Sequence, residues 1–196
     1  MHEARVLTAI ARRLNRDAGA PNLPALFFLT DPERTPDPEA TISQLPPGAG
    51  VIYRHFGVAN RRETARRLSA LCRKRQLVFL IAADPELAAS VAAHGVHWPE
   101  RMLCAARVGR GLMTGAAHSA HAVARWHDAG ADACVLSPIF ATKSASGREP
   151  LGLFKASQIA YGSRIPVIAL GGISSNNART LIGRGFSSLA AVDALS

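Results

Sequence analysis

Eight short apolar runs recur along the chain: "ALFFLTD" (25–31), "GVIYRH" (50–55), "LVFLIAAD" (77–84), "GVHW" (95–98), "LMTGAAH" (112–118), "ACVLSPIF" (133–140), "PVIALGG" (166–172) and "SLAAVDAL" (188–195). Most are apolar at nearly every position instead of alternating. That pattern is expected of strands in a parallel sheet whose two faces are both covered. Between them lie segments with apolar positions at helical spacing, residues 61–75, 85–93, 119–129, 151–161 and 175–184. Asp84 with Pro85, and Ser119, are start signals; Gly130, Gly162 and Gly185 are stops. Strands alternating with helices make either a (β/α)8 barrel or an open doubly wound sheet. No GxGxxG follows the first strand and the strand count is eight, so the pattern predicts an α/β fold, a single-domain (β/α)8 TIM barrel.

Two places depart from a regular barrel. The first connection, "TISQLPPGAG" (41–50), is short and broken by Pro46 and Pro47. The chain also stops directly after the last strand, so the last helix is missing. The N-terminal helical segment, residues 1–20, carries Val6, Leu7, Ile10 and Leu14 on one face and is expected to pack on the barrel wall or close its bottom. No linker, repeat or low-complexity tract divides the chain, and residues 1–196 read as one domain.

Composition fits this picture. Of 196 residues, 48% are hydrophobic and 19% charged, enough for one substantial core. The apolar runs are far shorter than the roughly 20 residues needed to span a bilayer, and the start "MHEARVLTAIARRLNR" has no signal-peptide core, so a cytoplasmic protein with no membrane partner is expected. Three cysteines, Cys72, Cys104 and Cys134, are widely spaced without a CxxC pair and predict reduced, buried thiols, not a disulfide framework or a zinc knuckle. The net charge is +9, concentrated in "RRETARRLSALCRKR" (61–75). Residues 65, 68, 71 and 72 form an apolar helical stripe there, so the arginines read as its solvated face. No aromatic residues interleave with them, and nucleic acid is not an expected partner. The field still favours small phosphorylated ligands.

Barrel ligands bind beyond the C-terminal ends of the strands, with phosphate commonly held after the seventh and eighth. Two candidates stand out. Gly171 and Gly172 in "ALGGIS" allow close backbone approach and positive φ, so their amides can cradle a phosphate, although a tight strand-to-helix turn also calls for glycine. His118 ends the fifth strand just before the capping Ser119, where an imidazole can act as general acid or base. His121 and His127 fall on the following helix, and His97 inside a strand reads as a hydrogen-bonded core residue. No cluster of histidines or carboxylates recurs at ligand spacing, so the residues alone suggest no metal site and no cofactor.

The ordered set "FFLTD", "VIYRH", "FLIAAD", "HGVHWPE", "TGAAHSAHAVARWHDAGADACVLSPIFATKS" and "IPVIALGGISSNNARTLIGRGF" resembles the thiamine phosphate synthase and thiazole tautomerase family, most strongly over residues 112–186. The resemblance implies a TIM barrel acting on the phosphorylated thiazole of thiamine biosynthesis, either joining it to a pyrimidine diphosphate or isomerising it. It also implies substrate-binding roles for Arg54, Thr142, Ser144, Gly171, Gly172 and the position of Asp193, and a proton-transfer role for His118 in the tautomerase branch.

The departures from the synthase pattern bear on which reaction is expected. The Gln-x-Arg-x-Lys of the second strand is reduced to Ile52, Arg54 and Phe56, with only the arginine retained. The Asn-Asp ending the third strand, whose carboxylate helps bind magnesium in the synthases, is Ala82 and Ala83, with Asp84 one position late. Glu100 is the only acid near the second magnesium position. The Thr-x-Thr-Lys loop becomes Thr142, Lys143, Ser144, Ala145, and a small neutral residue near the phosphate becomes Asp193, a carboxylate that needs a cation such as Arg148 or Arg164 beside it. These changes favour a metal-independent, tautomerase-like isomerase with His118 as acid and base. The alternatives are a divergent synthase holding Mg²⁺ with Asp84 and Glu100, and a catalytically silent ligand-binding or regulatory homologue. Barrels of this kind often pair, and a homodimer is the one protein partner the sequence suggests.

Overall fold

The first and last apolar runs are hydrogen-bonded to each other, so the sheet has no edge. A computed structural model describes residues 2–103, 107, 111–142 and 148–195. In it β1 (Leu26–Leu29), β2 (Gly50–Tyr53), β3 (Val78–Ala82), β4 (Gly95–Trp98), β5 (Leu112–Ala117), β6 (Ala133–Leu136), β7 (Val167–Ala169) and β8 (Ser188–Ala191) form a closed barrel in sequence order. All neighbouring pairs are parallel; Phe27 lies opposite Gly50 on β2 and opposite Ala190 on β8. The expected (β/α)8 barrel is the observed fold.

Buried residues of successive strand positions divide between two clusters. Phe27, Leu29, Ile52, Leu80 and Val135 pack together inside the barrel. Phe28, Val51, Tyr53, Phe79 and Ile81 join the layer between sheet and helices. Side chains of a strand point alternately to its two faces, so near-continuous apolar runs are what a sheet covered on both faces requires.

The helices are α1 (His2–Asp17), α2 (Pro38–Gln44), α3 (Arg61–Lys74), α4 (Pro85–Ser90), α5 (Ala120–Asp128) and α6 (Leu153–Tyr161). Their starts follow the sequence signals. Asp84 caps α4 by accepting from the Leu87 amide at 2.8 Å with Pro85 following, and Ser119 caps α5 by accepting from Ala122 at 3.1 Å. Trp126 on α5 lies so close to β5 that a Cβ on Gly115 would sit 2.1 Å from its ring, and its indole donates to the Ala116 carbonyl at 2.8 Å.

α1 packs on β8 and β1 at the barrel wall. Leu7, Ile10, Ala11 and Leu14 are buried there, and the three larger side chains contribute roughly 5 kcal/mol of burial before the entropy of ordering the helix is subtracted. Asn15 fastens its end by donating to the Ala20 and Leu23 carbonyls at 2.8 and 3.2 Å.

One expected element differs. The helix read at 175–184 is only a 3₁₀ turn, Ala178–Leu181. Asn177 turns back to donate to the Gly172 carbonyl at 2.7 Å and accept from the Ser174 amide at 2.9 Å, while Glu3 of α1 accepts from the Ser175 amide at 3.0 Å. Gly183 and Gly185 at positive φ then end the segment. Local side-chain bonding and the nearby α1 outcompete a weak helical sequence. Among the described residues no helix is long and apolar enough to cross a membrane.

Candidate active site at the mouth of the barrel

A cavity of about 320 Å³ opens beyond the C-terminal ends of the strands. Its wall includes six of the seven residues singled out from the sequence: Arg54, His118, Thr142, Gly171, Gly172 and Asp193. Ser144 lies outside the described residues, as do Lys143 and Cys104. Arg34, His97 and Ser137 also line the cavity.

The β7 end is shaped by contact with the segment after β6. Gly171 and Gly172 have φ of 102° and 64°. A Cβ on Gly171 would lie 2.6 Å from Pro138 Cα, and one on Gly172 would lie 2.2 Å from the Ala141 carbonyl oxygen. Both the backbone twist and the close approach therefore demand glycine. The Gly171 carbonyl accepts from the Phe140 amide at 3.0 Å and the Gly172 carbonyl from Asn177. Their own amides donate to no acceptor among the described residues, which leaves them available to an anion at the cavity wall.

His118 sits at the β5 end, its side chain 23% exposed. Nδ1 is 2.6 Å from the Ser137 carbonyl oxygen. A carbonyl can only accept, so the Nδ1 hydrogen is donated to it, and Nε2 is the nitrogen left for proton transfer. Glu100, from the 3₁₀ turn Glu100–Met102 after β4, places Oε2 3.9 Å from Nε2.

Opposite charges are paired around the rim. Arg34, in the loop after β1, holds Asp193 in a two-pronged contact, with Nε donating to Oδ1 at 2.8 Å and Nη2 to Oδ2. The cation that balances Asp193 is therefore Arg34; Arg164, one of the candidates for that role, borders a hollow beside α5 and α6. Arg54 donates from Nε to the Thr30 carbonyl at 3.0 Å and stands 3.6 Å from Asp31. Burial pulls its proton affinity below the usual arginine range, and Asp31 opposes that pull. His97 bonds through Nδ1 to Thr114 at 2.9 Å in the barrel interior. Burial first, and the Arg54 charge second, push its pKa down to about 3. It is therefore neutral at ordinary pH, both the bonded core residue expected and a polar patch in the cavity floor.

The donor set does not fit a magnesium ion. Asp84 is engaged by the α4 cap and by Arg61 at 2.6 Å, Glu100 faces His118, and Ala82 and Ala83 offer no side-chain oxygen. Among the described residues no group of three or more His, Cys, Asp or Glu is placed to hold a metal.

Fold and site together define a single-domain TIM barrel whose mouth offers backbone donors to an anion and an oriented imidazole to a proton. The thiamine monophosphate synthase family model matches residues 28–195, and this chain belongs to that family. It is 35% identical over 186 residues to the thiamine-phosphate synthase of Chlorobium luteolum, covering 90% of this chain and 87% of that one. To the enzyme of the same name from Halorhodospira halophila it is 34% identical, covering 88% and 87%. The solved thiamine phosphate pyrophosphorylase of Pyrococcus furiosus superposes with a TM-score of 0.72 at 22% identity, over 85% of this chain and 84% of that one, a likeness of fold.

Proposed function

We propose that this protein is a metal-independent isomerase of a phosphorylated thiazole, with Gly171 and Gly172 binding the phosphate, His118 moving the proton, and Arg54, Thr142 and Ser144 contacting the rest of the substrate. The observation that carries the reading is the His118 imidazole, fixed through Nδ1 at the cavity wall with Nε2 left to exchange a proton. Converting an exocyclic double bond into an aromatic ring breaks one ring C–H bond and forms one C–H bond on the exocyclic carbon. The electron pair of the first shifts into the ring, nothing is oxidised or reduced, and one base that returns its proton suffices. The poor fit of the donor set to magnesium weighs the same way, because a departing pyrophosphate needs strong charge stabilisation that the described carboxylates are not arranged to recruit.

The test is turnover of the exocyclic thiazole phosphate isomer, followed by the ultraviolet absorbance of the aromatic product. Wild-type activity lost by about 10²-fold or more in His118→Ala, with the fold retained by circular dichroism, is the expected result. Full activity in that variant sinks the assignment. A second reading, a divergent thiamine phosphate synthase, is favoured by the names of the relatives. Rescue of a synthase-deleted strain by this chain selects it; failure with good expression counts against it.

A further inference from the structure

Glu100 contains a carboxylate oxygen, Oε2, that is buried and has no hydrogen-bond partner. Hiding a carboxylate oxygen without a donor is costly, and such an atom in a native fold calls for an explanation. The nearest oppositely chargeable group is Nε2 of His118 at 3.9 Å. That distance is too long for a hydrogen bond and short enough that a small side-chain rotation makes one. On its other side the imidazole is fixed, because Nδ1–H already donates to Ser137. Glu100 does not line the cavity, whereas His118 does. The carboxylate therefore lies beside Nε2 without itself forming part of the cavity wall.

We infer that Glu100 is the positioning residue of His118: it is the counter-ion of the imidazolium that forms when Nε2 takes up a proton. The inference rests on the isomerase reading above. Before the proton moves, the carboxylate oxygen Oε2 lacks a donor and Nε2 lacks a proton. When a ring C–H bond of the substrate breaks and its proton forms the Nε2–H bond, the charge created on the ring meets the carboxylate and the orphaned oxygen gains its partner. When that N–H bond breaks and the proton forms the new C–H bond on the exocyclic carbon, the pair returns to its starting state. Glu100 thus stabilises the imidazolium between removal and delivery, facing the nitrogen that carries the proton. The hydrogen bond to Ser137 keeps the ring in place throughout, so the proton returns from the same nitrogen.

Two variants of the full chain test this, Glu100→Gln, which keeps shape and polarity without charge, and Glu100→Ala. Side-chain ¹⁵N spectra of His118 across pH give a readout that needs no turnover. Glu100→Gln removes the charge that faces Nε2, so proton uptake by His118 should be weaker in that variant than in wild type. With the isomerase assay, kcat should fall by about tenfold to a hundredfold while KM for the thiazole phosphate stays within about twofold. Added formate should restore part of the activity of Glu100→Ala and none of that of Glu100→Gln, whose amide fills the space. Unchanged proton uptake by His118 in Glu100→Gln overturns the pairing whether or not the chain turns over the thiazole. Altered uptake in Glu100→Gln, together with a wild-type chain that does not isomerise the thiazole, upholds the pairing and removes the reaction. Normal isomerase activity in both variants upholds the reaction and overturns the role given to Glu100.

Discussion

Acidification should unfold this protein partly through one residue, His97. The side chain is 5% exposed, bonded to Thr114 inside the barrel, and its pKa is pushed from 6.5 down to about 3. The unfolded chain takes up a proton on this residue near the ordinary value, whereas the folded chain refuses it until far lower pH. Between those two values the unfolded state binds more protons, so stability falls as pH falls; the contribution is fully present above the unfolded value and is lost progressively toward the folded one. With folded and unfolded values of about 3 and 6.5, going from about pH 7 to about pH 4.5 removes roughly 2.5 kcal/mol through this residue alone. His97→Gln keeps a polar partner for Thr114 and cannot titrate. Urea unfolding of both proteins at the two pH values isolates the effect, since every other titrating group is shared. The variant is expected to start less stable at neutral pH, by about 1 kcal/mol for altered packing and bonding, and to lose about 2.5 kcal/mol less than wild type on acidification. Stability curves that run parallel from neutral to acid pH refute the reasoning, because they mean that His97 is protonated in the fold or never buried.

Three further outcomes follow from the mouth and the core. Gly172→Ala forces a Cβ to within 2.2 Å of the Ala141 carbonyl at φ of 64°; it should cost about 2–3 kcal/mol in thermal unfolding and weaken thiazole phosphate binding by calorimetry. Asp193→Asn removes a carboxylate from the cavity wall and releases Arg34, so phosphate affinity should rise by about threefold at low salt, with the gain shrinking as salt is added; a fall in affinity contradicts the role given to that pair. Burial pushes the thiols of Cys72 and Cys134 up to about 12. In a Cys104→Ser background a disulfide thiol reagent should therefore label nothing until denaturant is added.

How much of this could be read from the chain differs between fold and site. The strands were legible because closure puts apolar neighbours on both faces, so "LVFLIAAD" and "ACVLSPIF" carry the signal without any long-range information. His118, Gly171 and Gly172 were legible because strand ends locate the mouth before the fold is known. Arg34 was not. It belongs to the irregular segment after β1, and its partner Asp193 is 159 residues away, so no local pattern links them. Ser137 was equally hidden, because it orients His118 through its backbone carbonyl, which residue identity does not report. The helix expected at 175–184 failed partly for a related reason: Glu3, 172 residues away, accepts from the Ser175 amide, while Asn177 turns the segment through bonds to its own neighbours Gly172 and Ser174.

The charges at the mouth combine into a constraint on what the site can hold. The chain carries a net charge of +9, yet the two arginines at the cavity are matched, Arg34 by Asp193 and Arg54 by Asp31, and His97 is neutral. A pyrophosphate with several negative charges would meet little uncompensated positive charge at those described residues. A phosphate monoester asks for less, and the amides of Gly171 and Gly172 can serve it without a cation. Paired arginines also retain some freedom to exchange partners, since Asp193 is more than half exposed and its attachment to Arg34 is worth little in water. An arriving phosphate can compete for Arg34, and the carboxylate it displaces remains solvated. This balance of charges is consistent with the proposed isomerase, whose singly phosphorylated ligand binds without a departing anion to stabilise.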